Sequence, residues 1–232
     1  MSIHEGHRQR VKDRFRDEGL DSFNELHVLE LLLFYCIPRK DTNPIAHALL
    51  DRFDSLVNVL EAPASELVKV EGITENAALF LNLMTAVGRY YLVNKVAAGE
   101  ILDSVEKCGR YMLPYFVGRK NETVFLLSLD AKCKVISCRE ISEGSINYAS
   151  ISTRKTVQEA LSAGATSVVL AHNHPSGIAC PSAEDVQATR RIALALQSVE
   201  IQLVDHLVIA DDDFVSMAQS GLYSWKSICD LV

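Results

Sequence analysis

The stretch HNHPSGIACPSAED, residues 172–185, decides how the second half of this chain folds and what it can bind. An apolar run from Val168 to Leu170 comes just before it and predicts a buried strand that delivers both histidines at its end. Side chains two positions apart on an extended chain point to the same side. His172 and His174 are therefore expected to converge on one point.

A loop and then a helix are predicted to follow the two histidines. The Pro, Ser and Gly at 175–177 end the strand, and the pattern from Ser182 onward predicts a helix whose first turn contains Asp185. Two imidazoles and a carboxylate with an open fourth position are typical of a catalytic zinc rather than a structural one. Such a zinc acidifies its water and polarises a carbonyl group.

Simpler interpretations of the same residues stay open. Ser182 and Asp185 form an S-x-x-D pattern, which is typical of a helix N-cap with an acid in the first turn. A cap does not exclude metal binding, because it can also fix the direction of the Asp185 side chain. An isolated His-x-His arises by chance, and its combination with the proline, serine and aspartate favours a metal site. Cys180 is a further candidate ligand, although the other three already form a complete set.

Length and composition restrict the class of protein. The chain has 232 residues, 48% of them hydrophobic, and a formal charge of −7, so nucleic-acid binding would require a local basic surface. The longest apolar run, HVLELLLFYCI, is too short to span a bilayer and contains Glu30. The N-terminus shows no apolar secretory signal, and the six cysteines are scattered. We predict a cytoplasmic protein with free thiols and no membrane contact.

The pattern along the chain changes near residue 120. We predict an all-α N-terminal domain over residues 1–98 and a C-terminal domain over residues 105–232, in which alternating strands and helices give an α/β or α+β fold. A helix broken at Pro114 is predicted as the connector between them. In the first domain, VKVEGITENAALFL is typical of a helix-hairpin-helix, although its hairpin around Gly72 lacks the second glycine.

Several of these phrases together resemble a known family. The pattern H-N-H-P-x6-S-x2-D, His172 to Asp185, resembles the JAMM motif of zinc metallopeptidases with an MPN-type fold. GHRQRVKDRF, LELLLFYCIPRKD, AHNHPSG, PSAED and VDHLVIADDDFVSM are similar to the bacterial RadC family, long labelled as DNA repair proteins. The likeness extends over nearly the whole chain. It implies a JAMM/MPN-like C-terminal domain with a cytidine-deaminase-like three-layer arrangement.

The resemblance also implies a role for particular residues. It assigns one Zn²⁺ per chain to His172, His174 and Asp185, with Ser182 helping to stabilise the oxyanion of a tetrahedral intermediate. Asn173 stands where JAMM deubiquitinating enzymes usually have Ser or Thr, which weakens any inference about ubiquitin-like substrates.

The JAMM pattern further requires a glutamate on an earlier strand as the base. Glu122, Glu140 and Glu143 are the candidates, and Glu122 is favoured because it stands at the start of the first strand, ETVFLLSLD. The alternative for Glu122 is a solvated charge at a strand end. A second open question concerns His206, which is either a buried histidine held by a neighbouring hydrogen bond or the partner of a metal-bound histidine.

The sequence therefore predicts a zinc-dependent metallopeptidase that cleaves a peptide or isopeptide bond in an unknown protein or peptide through a metal-activated water. The alternative is a DNA-binding, repair-associated protein whose zinc domain is structural or serves recognition. Its basis is the basic N-terminal segment, with Arg8, Arg10, Lys12, Arg14 and Arg16, together with the helix-hairpin-helix. Acidic residues interrupt that segment, as in an ordinary solvated helix.

Overall fold

The computed structural model describes residues 3–95, 99–144 and 151–224. The chain divides into two compact units, Met1–Gly88 and Arg89–Val232. The domain limits predicted from the sequence, residues 1–98 and 105–232, stay predictions.

The described part of the first unit is helical. Five helices precede the unit boundary and a sixth begins within the unit: α1 Ile3–Glu18, α2 Glu25–Cys36, α3 Asn43–Phe53, α4 Leu56–Glu61, α5 Ala64–Leu67 and α6 Glu75–Lys95. Their apolar faces enclose one core, in which Leu29, Leu49 and Leu81 are completely buried. The turn between α5 and α6 contains Gly72 at φ +93°, and a Cβ there would lie 2.7 Å from Ile45 Cδ1. Packing against α3 therefore explains this glycine.

Basic side chains of α1 form contacts within the first unit. Arg8 donates a hydrogen bond of 2.7 Å to the carbonyl of Ile37, just after α2. Arg14 donates to the hydroxyl of Ser22 at 3.1 Å, and Arg16 pairs with Asp13 at 2.8 Å. These contacts occupy three of the five basic side chains noted in the sequence. DNA binding by this segment stays a prediction.

The second unit is built on a five-stranded sheet. Its strands are β1 Thr123–Leu129, β2 Val135–Glu143, β3 Ser167–Asn173, β4 Gln202–Ala210 and β5 Asp213–Ser216, in the order β2-β1-β3-β4-β5. Only the β3–β4 pair is parallel among the described strand pairs. The accompanying helices are α7 Val105–Phe116, α8 Thr153–Ser162 and α9 Ala183–Gln197. The predicted mixed α/β character of this region is confirmed.

Helices cover both faces of this sheet. Leu126 and Leu170 point into a core shared with Ala160 of α8 and Ile192 of α9. Their neighbours along β1 and β3 point into a second core that contains Met112 of α7. Because both faces are buried, β1 and β3 are continuous apolar runs rather than alternating patterns.

Pro114 does not break the helix in which it stands. Helix α7 continues to Phe116, so the predicted break was wrong. Cys108, Met112 and Phe116 lie four residues apart on one helix face and are buried against the sheet. The proline lies in the last turn, where few backbone hydrogen bonds remain to be lost. This apolar stripe makes α7 a core element of the second unit rather than a connector.

Strand pairing brings the end of β3 next to the beginning of β1. In the antiparallel register, His172 lies opposite Val124, and the start of β1 also pairs with the end of β2, Thr123 opposite Glu143. This end of the sheet therefore brings His172 next to the start of β1, which directly follows the predicted base, Glu122. No helix among the described residues is long and apolar enough to cross a membrane.

Candidate metal centre

His172, His174 and Asp185 form one group in space. The Nε2 atoms of the two histidines lie 2.9 Å apart. Each carboxylate oxygen of Asp185 faces one histidine and lies 3.6 Å from its Nε2 atom. The side chains of His172 and Asp185 are 0% and 1% exposed, whereas that of His174 is 16% exposed. The group is therefore buried at His172 and Asp185 and open to solvent on the side of His174.

The end of β3 and the loop after it place the two histidines. His172 is within the strand, and His174 follows its last residue with its N–H bonded to the carbonyl of Ile209 at 2.8 Å. The loop then turns at Gly177, which has φ +80° and donates its N–H to the carbonyl of His174 at 3.1 Å. Glycine adopts this left-handed conformation without a Cβ penalty, so the turn begins directly after the second histidine.

The first turn of α9 places the carboxylate. Ser182 is the N-cap, its hydroxyl oxygen accepts the Asp185 N–H at 3.1 Å, and its own N–H donates to Asp185 Oδ2 at 2.7 Å. The S-x-x-D pattern is thus a helix N-cap, as predicted, and the reciprocal bonds form a capping box. The same cap points the carboxylate of Asp185 toward the two histidines.

The three side chains fit a tetrahedral metal ion. Ligand atoms about 2.0–2.1 Å from zinc in tetrahedral geometry are about 3.3 Å from one another, and the separations of 2.9 and 3.6 Å bracket that value. His174 Nδ1 lies 3.1 Å from the carbonyl of Ile178, which can only accept, so the lone pair of neutral His174 is on Nε2. Among the described residues, the group that could hold a metal consists of these three and does not include Cys180.

Charges in the group favour an ionised carboxylate. Burial raises the pKa of Asp185, but the neighbouring rings of His174 and His172 and the hydrogen bond from the Ser182 N–H together hold it below its ordinary value. The neighbouring Asp185 carboxylate raises the pKa of His174, whereas burial lowers the pKa of His172. The ionised carboxylate therefore presents one oxygen to each ring nitrogen, and the His172 ring is neutral at neutral pH.

Glu122 lies directly before β1, and because Val124 of that strand lies opposite His172, strand pairing brings Glu122 near the end of β3. Burial raises its pKa, the nearby His174 lowers it and the nearby Asp185 raises it, and the net change is upward. Glu140 and Glu143 instead form ion pairs with Arg119, at 2.9 and 3.1 Å. The electrostatic partners of Glu122 thus include His174 and Asp185, whereas the other two candidate glutamates pair with Arg119.

Asn173 fixes the backbone on both sides of Glu122. Its side-chain oxygen accepts the Thr123 N–H at 2.8 Å, and its amide nitrogen donates to the carbonyl of Asn121 at 3.2 Å. Because Asn173 alternates with the histidines along β3, its side chain points away from them and toward β1. Asn173 departs from the usual motif, but no local pattern predicts its contact with Thr123, which is 50 residues away in the chain.

Asp205 and His206 are hydrogen-bonded to each other, since the His206 N–H donates to Asp205 Oδ1 at 2.7 Å, but their side chains have different further partners. His206 Nε2 lies 2.9 Å from His172 Nδ1, and His206 Nδ1 lies 2.6 Å from the hydroxyl of Thr189. Asp205 accepts hydrogen bonds from the Ser216 hydroxyl and the Ala218 N–H at 2.5 and 3.0 Å. The position of His206 fits both predicted roles, because it is buried and hydrogen-bonded and also contacts His172. Thr189 was missed, because its role depends on a partner on another element.

Replacing Ser182 by alanine is expected to lower the free energy of unfolding by about 1 kcal/mol, because the Asp185 N–H loses its cap. Chemical denaturation of the metal-free protein measures this effect. Ser182→Asn has no hydroxyl but retains a side-chain oxygen that can cap the helix, so its stability should stay close to that of the wild type. Equal stability of the wild type and Ser182→Ala would show that the cap contributes nothing.

Stability of the metal-free protein is expected to fall as the pH decreases from about 6.5 to about 4. Complete burial lowers the pKa of His206 to about 4, so in this window the unfolded chain binds a proton that the folded chain does not. The resulting loss in the free energy of unfolding is on the order of 3 kcal/mol. It is absent above about pH 6.5 and complete below about pH 4. Denaturation at a series of pH values should show that the free energy of unfolding depends less steeply on pH in His206→Gln than in the wild type. Equal slopes for the two proteins would contradict the assignment of this effect to His206.

Comparison with known proteins agrees with this description. The second unit is a mixed α/β domain with a His-His-Asp group, and residues 102–222 match the model of the RadC-like JAB domain. UPF0758 protein FN0909 of Fusobacterium nucleatum subsp. nucleatum is 32% identical over 225 residues, which cover 94% of this chain and 97% of that protein. The chain belongs to the RadC family.

Proposed function

We propose that this chain is a JAMM-type zinc hydrolase that cleaves an amide bond in a protein or peptide. The observation that carries the proposal is the position of Glu122, a partly buried residue directly before β1 that strand pairing brings near the end of β3 and its two histidines. A set of metal-binding residues alone is compatible with a structural role. A metal-binding site that is open to solvent and has a further carboxylate nearby matches the requirements of amide hydrolysis.

Each side chain has a role in the proposed reaction. Zinc, when bound by His172, His174 and Asp185, supplies Lewis acidity and lowers the pKa of a water molecule. Glu122 would accept a proton from the water molecule that attacks the amide carbon and would donate it to the amine nitrogen as the C–N bond breaks. An upward pKa shift of Glu122 suits this second step, because a carboxyl group with a higher pKa holds the proton more readily.

Ser182 is proposed to stabilise the negative charge that develops on the amide oxygen. Its hydroxyl oxygen accepts the Asp185 N–H, and this leaves the hydroxyl hydrogen available for donation to an oxyanion. Ser182 therefore combines two functions, since it caps α9 and points a donor into the same region.

The proposal is tested with the full chain, loaded with zinc, on two probes. One is a library of fluorescence-quenched peptides, and the other is a set of dipeptides joined through the lysine side chain. We expect chelator-sensitive cleavage of at least one probe, and in H₂¹⁸O one ¹⁸O atom should enter the new carboxylate. A protein that binds zinc but cleaves neither class of probe would refute the hydrolase and leave a recognition domain.

A further inference from the structure

A chain of hydrogen bonds connects two of the proposed ligands behind the metal group. Thr189 Oγ1 lies 2.6 Å from the carbonyl oxygen of Asp185 and 2.6 Å from His206 Nδ1. His206 Nε2 in turn lies 2.9 Å from His172 Nδ1. Thr189, His206 and His172 are all 0% exposed, so water does not substitute for any of these partners.

The direction of every bond in this chain follows from the first one. A backbone carbonyl only accepts, so the Thr189 hydroxyl donates to Asp185. The reverse direction would place two acceptor oxygens 2.6 Å apart with no hydrogen between them. A sulfur atom, Met217 Sδ, also lies 3.7 Å from the hydroxyl, but a thioether is a much weaker acceptor than a carbonyl.

The position of the proton on each histidine is then determined. The hydroxyl of Thr189 has used its one hydrogen, so His206 Nδ1 must donate to its oxygen. A neutral imidazole carries one N–H, which makes His206 Nε2 an acceptor. His172 Nδ1 therefore donates to His206, and the lone pair of neutral His172 is on Nε2.

We infer that Thr189 and His206 are positioning residues that hold His172 in the tautomer that binds a metal. The lone pair of His172 Nε2 faces His174 Nε2 at 2.9 Å and the carboxylate of Asp185 at 3.6 Å, where the metal of the proposed function would be held. Without a metal, a proton on His174 Nε2 lies between the two rings, and His172 Nε2 accepts it. This inference rests on that metal site and extends it to two residues that contribute no ligand atom.

The arrangement couples two separate elements of the fold. Helix α9 supplies the carboxylate ligand, and the carbonyl of the same residue, Asp185, begins the chain of bonds that orients a ligand on β3. In the opposite tautomer, His172 would direct an N–H at the metal position, and the proton would have to move before binding. Partners of this kind typically change metal affinity by 10–100-fold when they are removed.

Thr189→Val and Thr189→Ser form a matched pair for the test. Valine has nearly the same shape without a hydroxyl, so we expect its zinc affinity, measured by competition with a chelator, to fall about 10-fold or more. Serine retains the hydroxyl and should bind zinc within about 3-fold of wild type. Thermal unfolding of the metal-free proteins verifies that both variants are folded. A Thr189→Val protein that is folded and binds zinc as tightly as wild type would overturn the inference.

A second measurement reads the proton directly and does not depend on zinc or on hydrolysis. Nitrogen-15 NMR of the metal-free wild type should show the proton of His172 on Nδ1, and Thr189→Val should show a mixture of tautomers. A wild type with the proton on Nε2 overturns the inference even if zinc binds. A wild type that has the expected tautomer but takes up no zinc supports the hydrogen-bond chain while refuting the proposed function.

Discussion

Replacing His172 and His174 together by alanine is expected to remove zinc from the purified protein, from about one zinc per chain to none. The two imidazoles supply two of the three proposed protein ligands, and a single buried carboxylate does not hold zinc at neutral pH by itself. Elemental analysis of protein purified without added metal measures the difference. Amide hydrolysis should disappear with the metal.

The control for this experiment is His47→Ala, which changes an exposed histidine of α3 in the other unit. It should leave the zinc content unchanged. His172 is fully buried, so the double variant also loses packing, and circular dichroism is needed to show that it is folded. His174→Ala alone removes a more exposed ligand and should also lower the zinc content. Equal zinc content in a folded double variant and the wild type would exclude the proposed metal centre.

Replacing Glu122 by glutamine is expected to lower kcat/KM for amide cleavage by about 10²- to 10⁴-fold while zinc remains bound. Glutamine has the same shape but cannot take a proton from water, and Glu122 itself is not one of the three proposed ligands. The measurement combines kinetics with elemental analysis of the same preparation. Loss of activity together with loss of zinc would instead make Glu122 a ligand.

Glu140→Gln and Glu143→Gln are the matched controls, because both candidates were considered as the base. Each carboxylate pairs with Arg119 near the same edge of the sheet, and these pairs are partly exposed to solvent. Their loss should change activity by no more than a few-fold, since partly exposed ion pairs contribute little. A large loss in either control with full activity in Glu122→Gln would reassign the base.

Local patterns predicted the parts of the site that lie close together in the chain. The apolar run before His172 and the two-residue spacing to His174 were sufficient to predict a strand with convergent imidazoles. The S-x-x-D pattern was sufficient to predict the N-cap of α9. Both succeed because strand alternation and helix capping depend on residues no more than a few positions apart.

Patterns along the chain failed where packing between distant elements decided the outcome. Pro114 predicted a helix break, yet α7 continues because a buried apolar stripe stabilises it against the sheet. The roles of Asn173 and Thr189 could not be predicted, because their partners lie about 50 and 17 residues away in the chain. A polar side chain at such positions has no local signature that distinguishes it from any other buried polar group.

The sequence by itself determined the identity of the candidate ligands, the cap that directs Asp185 and the alternation of elements in the second unit. Only the tertiary structure decided which candidate glutamate lies near the end of β3 and which buried side chains contact the candidate ligands. Strand register brings Glu122 to the end of β3, and Arg119 pairs with the other two candidates. The physical reason is that ligand chemistry and capping are local properties, whereas a proton's position and a base's neighbours depend on contacts that form only when the chain has folded.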